Sequence, residues 1–186
     1  MYPRAAISPN SLKPDENTRL SAVAILLYNG PDYLHSLVIQ RSVYEGTHSG
    51  QIAFPGGKWE SADVTGLNTA LRECHEEIGV GADELRYIGK LTDVYTAVSS
   101  FLIEPHVFFW NQPRTDLQAA EREVAAVHSI PLKPLLNDQT IVYRDILIKN
   151  GLVLKQVPHF DIYPVQIWGA TALMLSELKM VLRSIE

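Results

Sequence analysis

The sequence contains only one cysteine, Cys74, among its 186 residues. A single cysteine excludes an intrachain disulfide and is typical of a reducing compartment, so we expect a cytoplasmic protein. Long apolar runs are also missing. The longest early run, residues 22–28, is far too short to cross a bilayer, and residues 1–19 do not resemble a signal peptide. We therefore expect no membrane partner.

Positive charge is scarce as well, because 16 Lys and Arg residues stand against 21 Asp and Glu residues, for a formal net charge of -5. Proteins that bind nucleic acid without sequence preference present a broad cationic surface. The charge balance therefore predicts no nucleic-acid partner. A small anionic substrate needs only a few local cations, and the balance does not exclude it.

The length of the chain predicts one domain with one hydrophobic core. We expect an irregular arm in residues 1–19, where prolines interrupt hydrogen-bonded structure, and the domain proper in residues 20–186. Residue patterns predict strands at 21–28, 36–41, 51–54, 85–94, 103–110 and 140–148, and helices at 68–79 and 168–185. Residues 119–127 fit either a helix or a strand. The mixture predicts an α/β protein of the α+β type, with a mixed sheet packed against helices.

The helix predicted at residues 68–79 has two different faces. Apolar residues recur every three or four positions from 67 to 78, whereas Glu73, Glu76 and Glu77 fall within an arc of roughly 100°. Three carboxylates this close repel one another, so a cation should accompany them. A hard divalent ion such as Mg²⁺ takes oxygen ligands of this kind. The alternative is an acidic helix face that is only solvated.

Residues on the N-terminal side of this helix favour the metal interpretation. The bend at residues 54–57 reads FPGG, and its glycines allow the main chain to approach a ligand or to present a carbonyl to a metal. Asp63 lies in the loop that follows. Arg72 either pairs with a carboxylate and holds this loop in place, or is an ordinary surface cation.

These residues resemble the Nudix box, which is Gly, five residues, Glu, seven residues, then Arg-Glu-aliphatic-x-Glu-Glu-x-Gly-aliphatic. The matching positions here are Gly57, Arg72, Glu73, Glu76, Glu77, Gly79 and Val80, with Cys74 as the small apolar residue. Two departures concern the loop: Asp63 stands for the first Glu, and eight residues separate it from Arg72. The resemblance implies a mixed sheet sandwiched between helices and a hydrolase of nucleoside diphosphates linked to another group.

Two further segments resemble one branch of that family, the coenzyme A pyrophosphatases. Residues 37–42 read LVIQRS and residues 48–57 read HSGQIAFPGG, which is similar to the extra motif of the branch. Residues 167–172 read IWGATA, which is similar to the Trp-Gly-x-Thr-Ala segment that opens its last helix. The likeness extends from about Leu20 to the C-terminus.

The family resemblance implies attack by water on one phosphorus, with Mg²⁺ or Mn²⁺ ions between the protein and the substrate. Glu73 and Glu77 would be the principal metal ligands, with Glu76 as a further ligand and the Gly57 carbonyl as a contributor. The later residue Glu123 stands where the family commonly has a general base or an additional ligand. Glu121 is a rival for this role, and both can instead be surface charges.

The branch resemblance implies that Arg41, His48 and Gln51 contact substrate phosphates or shape the substrate site. Alternatively, Gln51 is a strand residue that only forms hydrogen bonds with its neighbours. The products from coenzyme A would be 3′,5′-ADP and a 4′-phosphopantetheine fragment. A Nudix enzyme for ADP-ribose or another nucleoside diphosphate derivative is the main alternative, and an inactive nucleotide-sensing domain is another. Family members occur as monomers and as homodimers.

Overall fold

The structure is a computed structural model, and it describes residues 14–43, 50–147, 151 and 153–185. Within these ranges the chain forms eleven β-strands and two α-helices. The strands are β1 Arg19–Asn29, β2 Leu34–Arg41, β3 Ile52–Ala53, β4 Gly56–Lys58, β5 Leu85–Lys90, β6 Val94–Thr96, β7 Phe101–Trp110, β8 Val124–Pro131, β9 Ile141–Leu147, β10 Val153–Ile162 and β11 Val165–Ile167. The helices are α1 Gly66–Ile78 and α2 Gly169–Ser184, and short 3-10 turns lie at Ala82–Glu84, Pro134–Leu136 and Asp138–Thr140.

The larger sheet is mixed, with β1 and β7 as parallel neighbours at its centre. Arg19 lies opposite Phe101 and Leu27 lies opposite Phe109 in this pair, while the other pairings in the sheet are antiparallel. Residues 27–29 of β1 pair with β2, and residues 21–23 of β1 pair with β4. Strand β2 pairs with β3 through residues 39–40, so β3 and β4 lie where β1 and β2 diverge. Strands β9, β10 and β11 form a second, antiparallel sheet.

The two faces of β1 bury different partners, because alternate residues of a strand point to opposite sides of the sheet. Ala24 and Leu26 join the cluster that contains Cys74 and Ile78 of α1. Ile25 on the other face joins the cluster that contains the buried residues of α2. The predicted architecture, one domain with a mixed sheet between helices, is confirmed.

Helix α1 begins two residues before its predicted start and has a cap at each end. The Thr65 side chain accepts a hydrogen bond from the main-chain N–H of Asn68 at 3.2 Å, which satisfies one of the free amides at the helix start. Gly79 ends the helix in the left-handed region, with φ of 75°. Glycine is the residue that takes this conformation at least cost, so the predicted stop at Gly79 is confirmed.

The prediction of a single strand over residues 85–94 was wrong. The chain forms β5 and then, after a gap at residues 91–93, the separate strand β6. Both strands pair with β7, and a register shift between Tyr87 and Gly89 interrupts the pairing of β5 itself. The carboxylate of Glu177 on α2 accepts hydrogen bonds from the main-chain N–H and the hydroxyl of Thr92 in this gap, so a tertiary contact replaces the expected strand pairing.

Other differences are smaller. The ambiguous residues 119–127 become strand only from Val124, and strands β10 and β11 were not predicted. The predicted strand 140–148 corresponds to β9, although residue 148 lies outside the described residues. Among the residues that the structure describes, no helix has the length and apolar character needed to span a membrane.

Candidate active site

Asp63 in the loop before α1 is a buried carboxylate whose oxygens both have partners. Its Oδ1 accepts from Arg72 Nε at 2.9 Å, and its Oδ2 accepts from Arg72 Nη2 at 3.0 Å. Oδ2 also accepts from the main-chain N–H of Glu60 at 2.8 Å and from Thr69 Oγ1 at 3.0 Å. The Arg72 bonds are the main reason that the pKa of Asp63 is lowered from 3.8 to about 2. Asp63 therefore anchors Arg72.

The loop around Asp63 is one residue longer than the family pattern, and it contains a tight turn at Val64. The Thr65 N–H donates to the Asp63 carbonyl at 2.5 Å, and Val64 has φ of 58°. A β-branched residue rarely adopts this left-handed conformation, so the turn is a strained feature of the loop.

Arg72 connects this loop to the acidic face of α1. Its Nη1 lies 2.9 Å from Glu73 Oε1 and 2.9 Å from Glu76 Oε2, and its Nη2 donates to the Lys58 carbonyl at 3.1 Å. The planar guanidinium therefore bridges the loop, β4 and two carboxylates. Of the two roles considered for Arg72, the contacts show the pairing role.

Glu77 is buried against β4, and only one of its carboxylate oxygens has a hydrogen-bond partner. Oε2 accepts from the main-chain N–H of Gly56 at 2.8 Å. Oε1 has no hydrogen-bond partner and lies 3.9 Å from Nη1 of Arg41. Burial raises the pKa of Glu77 to about 7, against the opposing effects of Gly56 and Arg41. An unsatisfied carboxylate oxygen in a buried position is costly, so it is a candidate ligand atom.

Glu73 lies one turn earlier on α1 and contacts the other glycine of β4. A Cβ atom placed on Gly57 would overlap the Glu73 carboxylate, so a larger residue there would displace this carboxylate from its present position. Burial raises the pKa of Glu73, and Arg72 opposes the shift. The backbone of β4 therefore packs directly against both Glu73 and Glu77.

Glu121 and Glu123 are exposed residues in the segment that leads into β8. The Ser42 N–H, just after β2, donates to the Glu123 carbonyl at 2.9 Å, and the Ser42 hydroxyl donates to the Glu121 carbonyl at 3.4 Å. The negative charge of Glu123 contributes to the raised pKa values of Glu73 and Glu77. Glu123 thus acts electrostatically on both helix carboxylates.

The residues expected at the substrate site are described only in part. The main-chain N–H of Arg41 at the end of β2 donates to the Gln51 carbonyl at 3.0 Å, so these two residues are neighbours. The Arg41 side chain is 27% exposed, and its buried Nε has no hydrogen-bond partner. His48 lies outside the described residues. Nearby, Thr171 Oγ1 at the start of α2 donates to the Ile52 carbonyl at 3.2 Å, so the two segments that resemble the coenzyme A branch are in contact.

The residues present fit a hard divalent cation in their chemistry. Glu77 Oε1 has no hydrogen-bond partner, and the Glu73 carboxylate lies where a Cβ atom of residue 57 would otherwise be. These carboxylate oxygens are ligands of the kind that Mg²⁺ and Mn²⁺ bind. Within residues 14–43, 50–147, 151 and 153–185, no three His, Cys, Asp or Glu side chains already converge as a ligand cluster. Glu73 and Glu76 each contact Arg72 through one carboxylate oxygen. The other oxygen of each group can therefore bind a metal while the contact with Arg72 is kept.

The fold and the acidic helix define a class of protein, the hydrolases that carry a Nudix domain. The NUDIX domain family model matches residues 18–148. Proteins of Salmonella paratyphi B and Salmonella newport, each named "Uncharacterized Nudix hydrolase NudL", are 32% identical over 164 residues, which cover 88% of this chain and 83% of the relative. The chain therefore belongs to the Nudix family, and it is a hydrolase of the diphosphatase type.

Solved structures share the fold. A Nudix hydrolase from M. smegmatis, RenU, has a TM-score of 0.61 at 16% identity, covering 90% of this chain and 88% of that one. A MutT/nudix family protein from Enterococcus faecalis has a TM-score of 0.57 at 16% identity, covering 92% of this chain and 65% of that one. An Ap4A hydrolase from C. elegans has a TM-score of 0.52 at 16% identity, covering 61% and 80%.

Sequence reasoning missed two parts of this site. The main-chain N–H of Gly56 holds Glu77, and the Ala120 N–H donates to the Glu77 carbonyl at 3.0 Å. Both are backbone contacts between distant segments, and backbone amides carry no residue-specific signal. The anchoring role of Asp63 could have been found, because the sequence places this carboxylate in the loop and offers Arg72 as a cation that can hold the loop by pairing with a carboxylate.

Proposed function

We propose that this protein is a metal-dependent hydrolase that cleaves the diphosphate bond of coenzyme A or its derivatives. The products would be 3′,5′-ADP and 4′-phosphopantetheine, or the acyl form of the latter. The observation that carries the proposal is the unpartnered Glu77 Oε1 that faces Arg41. The two groups share only a long ion-pair contact of 3.9 Å, and neither Glu77 Oε1 nor Arg41 Nε has a hydrogen-bond partner. A metal-bound diphosphate would supply a close cation to the carboxylate and a close anion to the guanidinium.

The metal would be Mg²⁺ or Mn²⁺, with Glu73 and Glu77 as the principal ligands and Glu76 and the Gly57 carbonyl as additional ones. Nudix hydrolases generally use divalent metal ions. A bound ion neutralises phosphate oxygens and lowers the pKa of a bound water. The protein itself holds Glu77 through Gly56 and keeps Glu73 and Arg72 close to the same strand, so the carboxylates start near their working positions.

Arg41 and Gln51 would bind the substrate, and His48 would join them. Arg41 supports this role because its Nε is buried without a partner, while a quarter of its side chain remains open to solvent. A guanidinium offers several N–H groups in a plane, which suits phosphate oxygens. The contact between Thr171 and Ile52 supports the coenzyme A assignment, because it joins two segments that resemble that branch.

Glu123 would act as the general base or as an additional ligand. Its support is electrostatic, since its charge adds to the raised pKa values of Glu73 and Glu77. A group that holds or moves a proton must lie within reach of the attacked phosphorus, directly or through one water. Glu121 is the competing residue, and comparing Glu123→Gln with Glu121→Gln separates the two.

The test is product analysis after incubation with coenzyme A and Mg²⁺ or Mn²⁺. We expect 3′,5′-ADP and 4′-phosphopantetheine in equal amounts, and no turnover in excess chelator. The same assay with ADP-ribose and other nucleoside diphosphate derivatives defines the preference. Much faster cleavage of ADP-ribose than of coenzyme A would overturn the substrate assignment but keep the diphosphatase. Absence of hydrolysis throughout the panel would overturn the function itself.

We also propose that residues 20–186 form the catalytic domain and residues 1–19 an arm, and that the protein acts in the cytoplasm as a monomer or homodimer. Arg19 is already the first residue of β1 and pairs with Phe101, so the arm that can be lost ends before it. Limited proteolysis tests the boundary, because cleavage before Arg19 should remove the arm without loss of hydrolysis. Sedimentation analysis gives the oligomeric state.

A further inference from the structure

Residues 111–123 connect β7 to β8 and run along the C-terminal end of α1. The Gln118 main chain and Cβ lie so close to Gly79, which ends α1, that a Cβ atom on the glycine would be 3.1 Å from Gln118 Cβ. Leu117 and Ala119 pack against the hydrophobic cluster that includes α1. We call residues 111–123 the crossing segment. Its last residue is Glu123.

Arg114 holds the first half of the crossing segment to α1. Its Nη2 donates to the Gly79 carbonyl at 2.5 Å, where the free carbonyls at a helix end favour a cation. Its Nε donates to Glu84 Oε2 at 3.2 Å, and its Nη1 donates to the Asp116 carbonyl at 2.9 Å. One guanidinium thus bonds the helix end, the turn that follows it and the crossing segment itself.

Glu84 is a fixed partner for Arg114. Its Oε1 accepts from the Gly81 N–H at 2.9 Å, and its Oε2 also accepts from Trp110 Nε1 at 3.3 Å. These bonds lower the pKa of Glu84, first through Gly81 and then through Arg114, so the group is ionised at neutral pH. The contact with Arg114 is therefore a charge-assisted bond between positioned groups.

The second half of the crossing segment is held by main-chain bonds on both sides of Glu123. The Ala120 N–H donates to the Glu77 carbonyl at 3.0 Å, and the Glu123 N–H donates to the Ala120 carbonyl at 2.8 Å. The Glu123 carbonyl accepts from the Ser42 N–H at 2.9 Å. The main chain of Glu123 is thereby placed relative to α1 and to β2, which carry Glu77 and Arg41.

We propose that Arg114 is a positioning residue for the hydrolytic reaction, which fastens the crossing segment to the end of α1 and so places Glu123 beside the helix carboxylates. The inference rests on the proposed function, in which Glu123 takes part in the reaction. Arg114 does not touch the carboxylates of Glu73 or Glu77. Its effect is exerted through the Gly79 carbonyl and the segment that ends at Glu123.

The proposal predicts a loss of rate more than a loss of binding. Displacement of a reacting group by about 1 Å can cost on the order of a hundredfold in rate, so Arg114→Ala should lower kcat roughly 10- to 100-fold. Glu73 and Glu77 on α1 and Arg41 on β2 keep their own contacts, so KM should change less than about threefold. The dissociation constant for Mn²⁺, measured without substrate, should also change less than about threefold when Glu123 acts as the general base, and a larger change identifies Glu123 as a metal ligand.

The experiment is a double-mutant cycle with Arg114→Ala and Glu123→Gln. If Arg114 acts through Glu123, adding Arg114→Ala to Glu123→Gln should change kcat less than about twofold. Equal falls in both backgrounds would overturn the proposal. An unchanged kcat in Glu123→Gln would also overturn it, while the proposed function would survive because hydrolysis persists.

Arg183→Ala is the matched control. Arg183 bonds the Leu136 carbonyl and the Asp138 carboxylate near the end of α2, so it has the same kinds of partner as Arg114 but lies on the other helix. We expect its kcat to match the wild type. Arg114→Lys should give an intermediate kcat, because one ammonium group cannot make the separate bonds of the guanidinium.

Amide hydrogen exchange supplies a readout that does not need activity. Arg114→Ala should accelerate exchange in residues 115–123 and leave α1 protected. If Arg114→Ala does not fold, Arg114→Lys should show the same selective acceleration. Unchanged exchange in residues 115–123 would overturn the positioning role of Arg114, whatever the substrate. Unchanged exchange together with an inactive wild type would overturn both this role and the proposed function.

Discussion

The acidic site contains two buried carboxylates whose hydrogen-bonding environments are opposite. We call Asp63 and Arg72 the loop pair, and Glu73 and Glu77 with the glycines of β4 the strand contact. Asp63 and Glu77 are 4% and 1% exposed. Asp63 has hydrogen-bond partners on both oxygens and a pKa of about 2, whereas Glu77 has an unpartnered oxygen and a pKa of about 7.

The difference shows that burial alone does not distinguish a structural carboxylate from a functional one. In the loop pair, the positive charge of Arg72 compensates the desolvation of the Asp63 carboxylate, so this carboxylate needs no further cation. In the strand contact, the desolvation of the Glu77 carboxylate is only partly compensated, because its Oε1 has no hydrogen-bond partner. Raised carboxylate pKa values of this kind concentrate at functional sites. We therefore expect substitutions in the strand contact to affect the reaction, and substitutions in the loop pair to affect stability.

The largest expected effect is the loss of activity in Glu77→Gln. Removal of partners outside the ligand shell already costs roughly 10- to 100-fold in metal sites, so loss of a ligand charge should lower kcat/KM by about a hundredfold or more. The fold should persist, because the amide keeps the shape and can still accept from Gly56. Steady-state kinetics at saturating Mg²⁺ and a thermal melt measure both, with Glu177→Gln on α2 as control. Unchanged turnover would remove Glu77 from the metal site.

The next effect is expected for Gly57→Ala, which tests the strand contact without changing any charge. The added Cβ overlaps the Glu73 carboxylate, so Glu73 must move, and we expect roughly a tenfold or greater loss of Mn²⁺ affinity and of kcat/KM. Gly89→Ala is the matched control, because nothing lies within 4 Å of the position where its Cβ would be. Equal Mn²⁺ affinities of Gly57→Ala and Gly89→Ala would show that metal binding does not depend on the present position of the Glu73 carboxylate.

A smaller effect, on stability instead of activity, is expected for Asp63→Asn. The substitution leaves Arg72 without its main charged partner, and we expect a loss of about 2–3 kcal/mol in the free energy of unfolding. Denaturant titration with Mg²⁺ absent measures this loss. A kcat that falls a hundredfold while the free energy of unfolding is unchanged would reverse the assignment of the two regions.

The smallest effect is the pH dependence of the loop pair. A carboxyl group whose pKa is lower in the folded protein than in the unfolded chain stabilises the fold above its unfolded pKa, and this stabilisation is lost as the pH falls through the folded pKa. For Asp63 the window runs from about pH 4 down to about pH 2, and its contribution is on the order of 2 kcal/mol. The difference between wild type and Asp63→Asn should shrink in this window, which unfolding curves at several pH values can follow.

Much of the fold followed from residue patterns, because β1, β2, β7 and both helices have regular periodicity. The gap between β5 and β6 did not, since it depends on a contact between Thr92 and Glu177 that no local pattern carries. Strand β10 was also missed. It contains a register shift between Leu154 and Val157 and a left-handed residue, Gln156, which break the alternation that identifies a strand.

The candidate site was visible in outline because the acidic residues follow a short spacing on one helix. The spacing could not predict which carboxylates have hydrogen-bond and ion-pair partners. Whether Glu77 is paired depends on Gly56, Arg41 and Glu123, which come from three other segments. The contacts of Arg114 with Gly79 and Glu84 likewise arise only when the crossing segment reaches the end of α1.

The parallel pairing of β1 with β7 has a consequence for how the protein is made. One edge of β1 has no partner until Phe101–Trp110 has left the ribosome, although α1 and its glutamates are synthesised well before. Pairings between such distant segments form late, because the intervening chain must close a large loop first. During synthesis the acidic helix therefore precedes the sheet that supports it, and the enzyme acquires its site only after most of the polypeptide has emerged.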